Sequence, residues 1–326
     1  MNVSYIPPLD ILGIHHITAL ASDPQRNVDF YVNLLGLRLV KQTVNFDAPD
    51  VYHLYYGDEV GRPGTLLTFF PFPDAVRGTR GAGETSAVAF SVPRGSLDFW
   101  LERLARAGIE LSGPERRFGE DFISFEDHDG MKVELFLDPS ADARAGWTGS
   151  SVGPQNAIRS FHGATFTHWE LSEPGRFLQD TMRFSRGGSE GSRHRFLAGS
   201  GEGQARIDIL VDPRAPQHRQ SAGSVHHIAW RAKDDKEQLV WRKDLMEAGV
   251  GPTPVIDRCY FHSVYFREPG GVLFEIATDP PGFLTDETLD SLGTQLRLPP
   301  WLESSRSSIA KHLPPLSVPA PVRAEA

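Results

Sequence analysis

The sequence predicts an α+β fold built from four βαβββ modules, each a strand, a helix and three further strands. Three observations support this prediction. One hydrophobic pattern recurs four times: a short alternating strand, an amphipathic helix that ends near a glycine, and several short strands that finish in an apolar run. The chain of 326 residues is 40% hydrophobic, enough for a large core. Its 31 glycines and 25 prolines indicate many turns between short strands.

The first module begins at the alternating strand 14–20. Pro24 is typical of the first turn of a helix, and the apolar residues after it share one helical face as far as Gly36. A strand over residues 52–56 follows, and the apolar run 64–70 closes the module.

The next two modules repeat this order. The second has the strand 87–92, a helix before Gly108 with apolar residues three or four positions apart, and the closing run 130–136. The third starts at residues 161–166, continues with a helix that begins near a Glu-Pro pair, and closes at 205–210.

The fourth module starts at the strand 225–230 and closes at 271–276. The helix between these strands ends before Gly249, and its apolar residues are Leu239, Trp241 and Leu245.

A module of this size is too small to bury its sheet face alone, so we expect the modules to pair. The segment 141–157 is rich in Gly, Ser and Ala and is the predicted linker. This divides the chain into an N-terminal domain with modules one and two (1–140) and a C-terminal domain with modules three and four (158–280). Residues 281–326 are predicted to form a C-terminal tail with a short helix near 301–311.

Charge and cysteine content restrict the function. A formal net charge of −9 argues against nucleic acid or an anionic membrane as a partner and favours a small-molecule ligand. The single cysteine, Cys259, forbids an internal disulfide and suits a reducing cytoplasm. The first residues lack the pattern of a signal peptide, and no apolar run is long enough to span a membrane. Association into a homo-oligomer is left open.

Alignment of the modules identifies positions that change chemical character. At the second residue of the first strand's His-His pair the modules carry His16, Ala87, Gly163 and His227. Inside the closing strand they carry Thr68, Glu134, Asp208 and Glu275. Pairing modules one and four therefore brings together His16, His227 and Glu275. Two imidazoles and one carboxylate form a facial triad, which leaves adjacent positions open on an octahedral ion and typically binds Fe(II).

Each of these residues also has a structural interpretation. Two consecutive histidines in a strand ordinarily point to opposite faces, but here the pair occurs twice at the same place in the repeat. Glu275 lies in an apolar strand, where an uncompensated carboxylate is costly and a metal would compensate it. Glu134 and Asp208 lack histidine partners, so we interpret them as salt-bridged or solvent-facing, and we interpret His53 as a packing residue.

In these motifs the chain resembles the hydroquinone ring-cleaving, extradiol-type dioxygenases of the vicinal oxygen chelate (glyoxalase/bleomycin resistance/dioxygenase) superfamily. The resemblance covers about residues 12–295. It rests on the segments 13–18, 40–46, 52–55, 118–120, 225–227, 258–265 and 269–275.

The resemblance implies two vicinal-oxygen-chelate domains with cupped mixed sheets and an iron site at His16, His227 and Glu275, with Mn(II), Zn(II) or Ni(II) as the alternative metals. It also implies roles close to the metal for His15, Thr18, His226, Arg258 and Tyr265. Cys259 stands where a glycine can occur and His262 where an acidic residue can, and we expect both to flank the pocket.

The expected reaction is extradiol cleavage of a hydroquinone or related dihydroxylated ring, with a small aromatic compound and O₂ as partners. His226 is the expected proton-transfer group and His15 the reserve, because an imidazole titrates near neutral pH. Each immediately precedes a ligand in the sequence and should point to the opposite strand face unless a bulge or local twist turns it. Tyr265 and Arg258 are expected to stabilise phenolate or peroxide charge.

Two other functional classes remain as alternatives. One is a glyoxalase-like isomerase or lyase, against which Thr68 counts, since the resembling isomerases generally have a carboxylate ligand on that strand. The other is a non-catalytic protein that binds an aromatic ligand and confers resistance.

Overall fold

Sixteen strands form two eight-stranded mixed sheets in the computed structural model, which describes residues 10–321. The strands of the first half are β1 Ile14–Ala21, β2 Arg38–Asn45, β3 Ala48–Gly57, β4 Leu66–Pro71, β5 Glu84–Val92, β6 Leu111–Arg117, β7 Glu120–Glu126 and β8 Lys132–Leu137. Those of the second half are β9 Ser160–His168, β10 Ser185–Glu190, β11 Arg193–Ala198, β12 Ala205–Val211, β13 Val225–Ala232, β14 Ile256–Asp257, β15 Phe261–Arg267 and β16 Leu273–Pro281.

The first sheet combines the first and fourth modules. Its strand order is β14-β15-β16-β13-β1-β4-β3-β2. At its centre β1 pairs antiparallel with β13, while β1–β4 and β13–β16 are parallel pairs. The strands from the two ends of the chain are therefore hydrogen-bonded neighbours, and the residues that face one side of β1, β13 and β16 lie close together.

The second sheet combines the second and third modules in the order β10-β11-β12-β9-β5-β8-β7-β6. The same arrangement of parallel and antiparallel pairs recurs around β5 and β9. The predicted α+β fold of four βαβββ modules with mixed sheets is confirmed.

Five α-helices accompany the sheets in the described part of the chain. They are α1 Pro24–Val28, α2 Leu97–Arg106, α3 Ser172–Arg176, α4 Asp235–Glu247 and α5 Arg306–His312. After α1 and after α3 the chain continues in a π-helical segment, at Asp29–Leu34 and Phe177–Thr181. In the longer helices a fully buried tryptophan, Trp100 of α2 and Trp241 of α4, anchors the helix in the core.

The buried face of α4 differs from the predicted one. Its buried residues are Gln238, Trp241 and Leu245, so Leu239 points outward and is exposed. Gln238 is tolerated inside because its side-chain amide donates to the carbonyls of His262 and Ile276, at 2.7 and 2.8 Å. Hydrophobicity alone does not reveal that a hydrogen-bonded glutamine is buried while the neighbouring leucine is exposed.

The segment between β8 and β9 and the residues after β16 both pack on the sheets. Val152 and Ala157, within the predicted linker, are buried in the main core. In the tail, Asp286 accepts from the buried Lys41 ammonium on β2 at 2.6 Å, and Glu287 is a second partner. Because each sheet draws strands from both halves of the chain, the division at 141–157 stays a prediction.

Residues 1–9 and 322–326 lie outside the described residues, so the predicted leaderless start and the end of the tail are not addressed by the structure. Among the helices of residues 10–321, none is long and apolar enough to cross a membrane.

Candidate metal and substrate site

Two β-bulges shape the centre of the first sheet. Ile14 pairs with Trp230 but His16 with Ala229, so His15 is an extra residue in β1. On β13 the register shifts in the same way at His226. A bulge rotates its residue away from strict alternation. The bulges therefore explain how consecutive histidines can approach one another instead of pointing to opposite faces.

His16, His227 and Glu275 converge from β1, β13 and β16. The Nε2 atoms of the two histidines are 3.2 Å apart. The carboxylate Oε2 of Glu275 lies 3.3 Å from Nε2 of His16 and 2.9 Å from Nε2 of His227. All three side chains are buried, and among residues 10–321 they are the one group of three or more side chains arranged to hold a metal ion.

The chemistry of this donor set fits a metal ion. Glu275 Oε2 is buried and has no hydrogen-bond partner among the described residues, although it faces two imidazoles. Burial alone would raise the pKa of Glu275, but the His16 and His227 imidazoles beside it hold that pKa well below its usual range. Burial also lowers the pKa of His227. A charged carboxylate and neutral imidazole are the forms that bind metal.

Hydrogen bonds behind the ligands hold their orientation. His15 Nδ1 lies 2.9 Å from Nδ1 of His16, and His226 Nδ1 lies 2.7 Å from Nδ1 of His227. Ser263 donates its hydroxyl to Oε1 of Glu275 at 2.5 Å. Contacts of this kind set the tautomer and ring orientation of metal-binding histidines. When Nε2 of a ligand histidine binds the ion, its Nδ1 carries the proton and donates to the neighbouring ring.

The cluster opens into a cavity of about 290 Å³ with largely aromatic walls. That volume lies near the lower end of the roughly 300–1,000 Å³ typical of small-molecule sites. The lining residues that carry rings are His16, Phe46, His53, Tyr55, Phe70, His226, His227, Phe261 and Tyr265. The remaining lining residues are Asn45, Asp47, Arg258 and Leu273.

Arg258 and Tyr265 form the polar part of this cavity. Nε of Arg258 donates to the Tyr265 hydroxyl at 3.3 Å, and its Nη1 donates to Asp47 at 3.1 Å. The Asp47 contact joins the β2–β3 turn to the segment before β15 across the cavity. Burial raises the pKa of Tyr265, so this phenol is protonated near neutral pH.

The remaining predicted residues occupy different places. His226 lines the cavity, but burial lowers its pKa to about 3, so its ring is neutral near neutral pH and does not titrate there as the sequence predicted. His15 is not among the lining residues and packs behind His16 against Phe261. Thr18, also absent from the lining, bonds to the Thr68 hydroxyl at 2.8 Å.

Cys259 and His262 do not line the cavity, although their chain neighbours Arg258 and Phe261 do. Cys259 packs with the cluster that contains Tyr260 and Phe283. His262 points toward α4, where its Nδ1 lies 2.6 Å from the Asp235 carboxylate. Neither side chain is in a position to contact a ligand held near the three-residue cluster.

Sequence reasoning missed His53 and its neighbours. His53 lines the cavity, with Nε2 at 2.9 Å from the Thr68 hydroxyl and Nδ1 at 2.8 Å from the Tyr55 hydroxyl. Thr68 is the first module's counterpart of the carboxylates in the other three. The available signal was the spacing of His53 and Tyr55, which places both on one face of β3 next to Thr68.

Comparisons with known proteins agree with this fold. The family model for the Glyoxalase/Bleomycin resistance protein/Dioxygenase superfamily matches residues 13–135 and 177–276. The "putative ring-cleaving dioxygenase MhqO" of Bacillus subtilis is 44% identical over 94% of this chain and 97% of its own length. The chlorohydroquinone/hydroquinone 1,2-dioxygenase of Sphingobium indicum is 36% identical over 93% of this chain and 96% of its own.

Solved structures give the same result. A crystal structure of a "putative dioxygenase" from Bacillus subtilis superimposes with a TM-score of 0.91 at 43% identity, covering 96% of this chain and 100% of the other. Glyoxalase I from Zea mays shares the fold, with a TM-score of 0.59 at 12% identity over 82% of this chain and 92% of that one.

Proposed function

The chain belongs to the glyoxalase/bleomycin resistance protein/dioxygenase superfamily, as the sequence resemblance indicated, and from that premise we propose that it is an Fe(II)-dependent, extradiol-type ring-cleaving dioxygenase. The proposed substrate is a hydroquinone or related dihydroxylated aromatic compound, and the second substrate is O₂. Both oxygen atoms enter the product as a ring carbon–carbon bond beside a hydroxylated carbon breaks.

One observation carries the proposal: a buried cluster of two imidazoles and one carboxylate opens into a cavity walled by aromatic rings. A three-ligand set leaves coordination positions for two further molecules. Iron(II) held by His16, His227 and Glu275 would supply the electron transfer between ring and O₂ that cleavage requires. Mn(II), Zn(II) and Ni(II) remain the alternative metals.

The cavity walls select a flat, apolar ring. Phe70 packs on His53 with ring centroids 4.2 Å apart, and Phe261 packs on His16 at 4.9 Å, so the aromatic surface reaches the ligands. Stacked and edge-on ring contacts add roughly 0.5–1.5 kcal/mol each beyond area burial. Contacts of the same kind between these side chains and the substrate would bind its ring, orient it and exclude water from the reacting carbon atoms.

Arg258 and Tyr265 would stabilise negative charge on a phenolic oxygen. The guanidinium lies over the Tyr265 ring, 5.4 Å from its centroid, and donates to the phenol oxygen. That donation makes the Tyr265 hydroxyl a stronger donor toward the cavity. A hydrogen bond from a charged group or to a developing anion is stronger than a neutral one.

His226 is the residue to which we assign proton transfer. It is the only one of the two bulged histidines that lines the cavity among the described residues. With His227 bound through Nε2, the Nδ1 of His226 accepts from Nδ1 of His227, so the remaining proton of His226 resides on Nε2. That atom is then the one available to exchange a proton with the substrate hydroxyl or its oxygenated product.

The local environment of Thr68 favours this proposal over a glyoxalase-like isomerase or lyase. In place of a fourth, carboxylate ligand on β4, the Thr68 hydroxyl contacts Thr18 and His53. A neutral hydroxyl held by two other side chains adds no charge to the metal site.

Oxygen consumption by freshly reconstituted protein tests the proposal. The protein is loaded anaerobically with Fe(II), its metal content is measured, and an O₂ electrode records uptake with substituted hydroquinones and catechols. Uptake that matches loss of the aromatic absorbance supports ring cleavage. Conversion of a substrate without O₂ would favour the isomerase or lyase, and saturable binding without conversion would favour the non-catalytic binding protein.

A further inference from the structure

A second cavity, of about 350 Å³, lies at the seam between the two sheets. Four arginines from separate places line it: Arg62 in the β3–β4 loop, Arg144 and Arg159 between β8 and β9, and Arg231 on β13. Asp58 is the one acidic residue among the described lining residues. Three of these guanidinium groups lie beside carboxylates of the chain, Arg62 beside Asp58 at 3.4 Å, Arg144 beside Asp138 and Arg231 beside Asp279.

This cavity is separate from the cavity that contains the metal ligands. The two share no lining residue. Part of the wall consists of small residues, Gly64, Ala143, Ala145, Gly203 and Ala205, which bring the backbone close to the enclosed space. The wall therefore combines guanidinium groups with closely approaching backbone.

Internal contacts use only part of the hydrogen-bonding capacity of Arg144 and Arg231. Arg231 donates through Nε and Nη2 to Asp279, at 2.6 and 2.8 Å. Arg144 donates through Nη2 to Asp138 and Ser140, at 3.2 and 3.1 Å, and through Nη1 to Ser160. A guanidinium has five N–H donors, so each pair leaves other donors for a further acceptor.

One donor is directly uncompensated. Nε of Arg144 is buried and has no hydrogen-bond partner within residues 10–321. A buried charged donor without an acceptor is destabilising, and native proteins ordinarily provide one through a protein group, an ion or a ligand. An anion bound in the cavity would accept charge-assisted hydrogen bonds from the guanidinium donors that the internal pairs leave free.

We propose that this inter-sheet cavity binds a compact oxyanion, either a phosphate or a small dicarboxylate, through Arg62, Arg144 and Arg231. Both anions present the paired oxygens that a guanidinium binds in bidentate fashion. Binding at this site is independent of the proposed oxygenase chemistry, since no residue of the metal cluster takes part.

Isothermal titration calorimetry of the full chain with inorganic phosphate, and separately with succinate, tests the proposal near neutral pH and low ionic strength. We expect a single saturable site for at least one of the two anions. Arg62→Gln and Arg144→Gln should each weaken that binding by about tenfold or more, because each removes a charge-assisted hydrogen bond. Binding of phosphate alone, succinate alone or both then identifies the anion source.

Arg116→Gln is the matched control. Arg116 is an exposed arginine that pairs with Asp121 away from the cavity, and its replacement should leave the affinity unchanged. The proposal is overturned if neither anion binds saturably, or if Arg116→Gln weakens binding as much as Arg62→Gln. Arg62 is itself largely exposed, at 57%, so its variant should fold and decides the question even where Arg144→Gln is unstable.

Discussion

Equivalent faces of the two sheets carry different side chains: histidines in the first sheet and small residues at the same positions in the second. In the first sheet His16 pairs opposite Ala229, and in the second Ala87 pairs opposite Thr165 at the same place in the repeat. By the same register, Gly163 replaces His227 in the second sheet. Both sheets keep a carboxylate on the neighbouring parallel strand, Glu275 in the first sheet and Asp208 in the second.

In the second sheet, arginines neutralise the buried carboxylates. Arg117 donates to both oxygens of Glu134 at 2.8 and 2.9 Å. Arg195 donates to both oxygens of Asp208, through Nε at 2.8 Å and Nη2 at 3.1 Å. These bidentate pairs correspond to the salt-bridged alternative for Glu134 and Asp208, and they occupy the face that remains open in the first sheet.

The difference shows how one backbone supports two solutions to one electrostatic problem. A buried carboxylate requires a positive partner. In the second sheet that partner is a guanidinium supplied by the chain, whereas in the first sheet two imidazoles leave Glu275 Oε2 without a hydrogen bond and fit a metal from solution. Only the arrangement in the first sheet leaves coordination positions for a substrate.

The largest expected effect, on metal content and turnover, comes from replacing the carboxylate of the first sheet by an amide, whereas the same replacement in the second sheet should not affect the metal. Glu275→Gln should abolish stable Fe(II) binding and lower turnover by more than about 100-fold, because even residues behind metal ligands change affinity or activity by about 10–100-fold. Metal analysis after anaerobic reconstitution and O₂ uptake measure both. Asp208→Asn, at the equivalent position, should keep full metal content. Equal metal loss in the two variants would contradict the assignment of the site to the first sheet.

Removing a cation from the second sheet should destabilise the fold without affecting the metal. Arg195→Met leaves Asp208 buried without its bidentate partner, which typically costs 3–5 kcal/mol. We expect about 3 kcal/mol, the lower end of that range, because Arg193 still lies 3.4 Å from the same carboxylate. Urea denaturation measures the loss.

A double variant sharpens this test. Replacing Arg195 and Asp208 together with apolar residues should recover part of the lost free energy of unfolding, since no Asp208 carboxylate is then buried without its bidentate partner. The recovery is partial because Arg193 loses the same carboxylate. If the double variant loses more free energy of unfolding than the two single variants lose when their losses are added, the ion pair is not the reason for the destabilisation.

The two bulged histidines of the first sheet should have separable effects. His226→Ala should lower turnover by about 10–100-fold while iron stays bound, because His226 lines the cavity. His15→Ala should mainly weaken metal affinity, by a similar factor, since His15 packs behind His16. Single-turnover rates and metal titrations distinguish the two outcomes. Unchanged activity in His226→Ala would remove that residue from proton transfer.

The smallest effect concerns pH. Burial alone would raise the pKa of Glu120 in the second sheet, but its hydrogen bond with His162 and the charges of Arg206 and Arg195 lower it to about 2. A carboxylate with a depressed folded-state pKa stabilises the fold above its ordinary value of 4.5, and this contribution is lost as the pH falls toward 2. Glu120→Gln should therefore lower stability near neutral pH but flatten acid unfolding between these values.

We expect this effect to be about 1 kcal/mol, because solvent screens a partly exposed ion pair. Equilibrium unfolding at a series of pH values measures it. Glu102→Gln, which removes an exposed ion pair with Arg106, should leave the acid-unfolding profile nearly unchanged. A steeper acid transition in Glu120→Gln would contradict the assigned sign.

Repetition made much of the fold predictable. Period-two strands and glycine-terminated helices recur four times, so the modules and their mixed sheets followed from local pattern. The prediction for α4 was wrong in detail, because Gln238 is buried through hydrogen bonds to two carbonyls and Leu239 is exposed in its place. Hydrophobic periodicity does not register a polar side chain that finds its partners only in the folded chain.

Comparison between modules was also sufficient to single out His16, His227 and Glu275, since chemical character changes at fixed positions of a repeat. It did not identify His53, Phe70 or Phe261, whose place in the cavity depends on β3, β4 and β15 lying next to the ligand strands.

The order of residues was sufficient to predict the repeating modules, their strand and helix content, and the residue types available for a metal site, because local spacing and side-chain chemistry can be read along the chain. The folded chain was needed to show that β1 and β13 are neighbours, that bulges turn His15 and His226 toward their ligand partners, and that guanidinium groups fill the equivalent face of the second sheet. Those outcomes depend on contacts between residues far apart in the chain, which local periodicity does not encode.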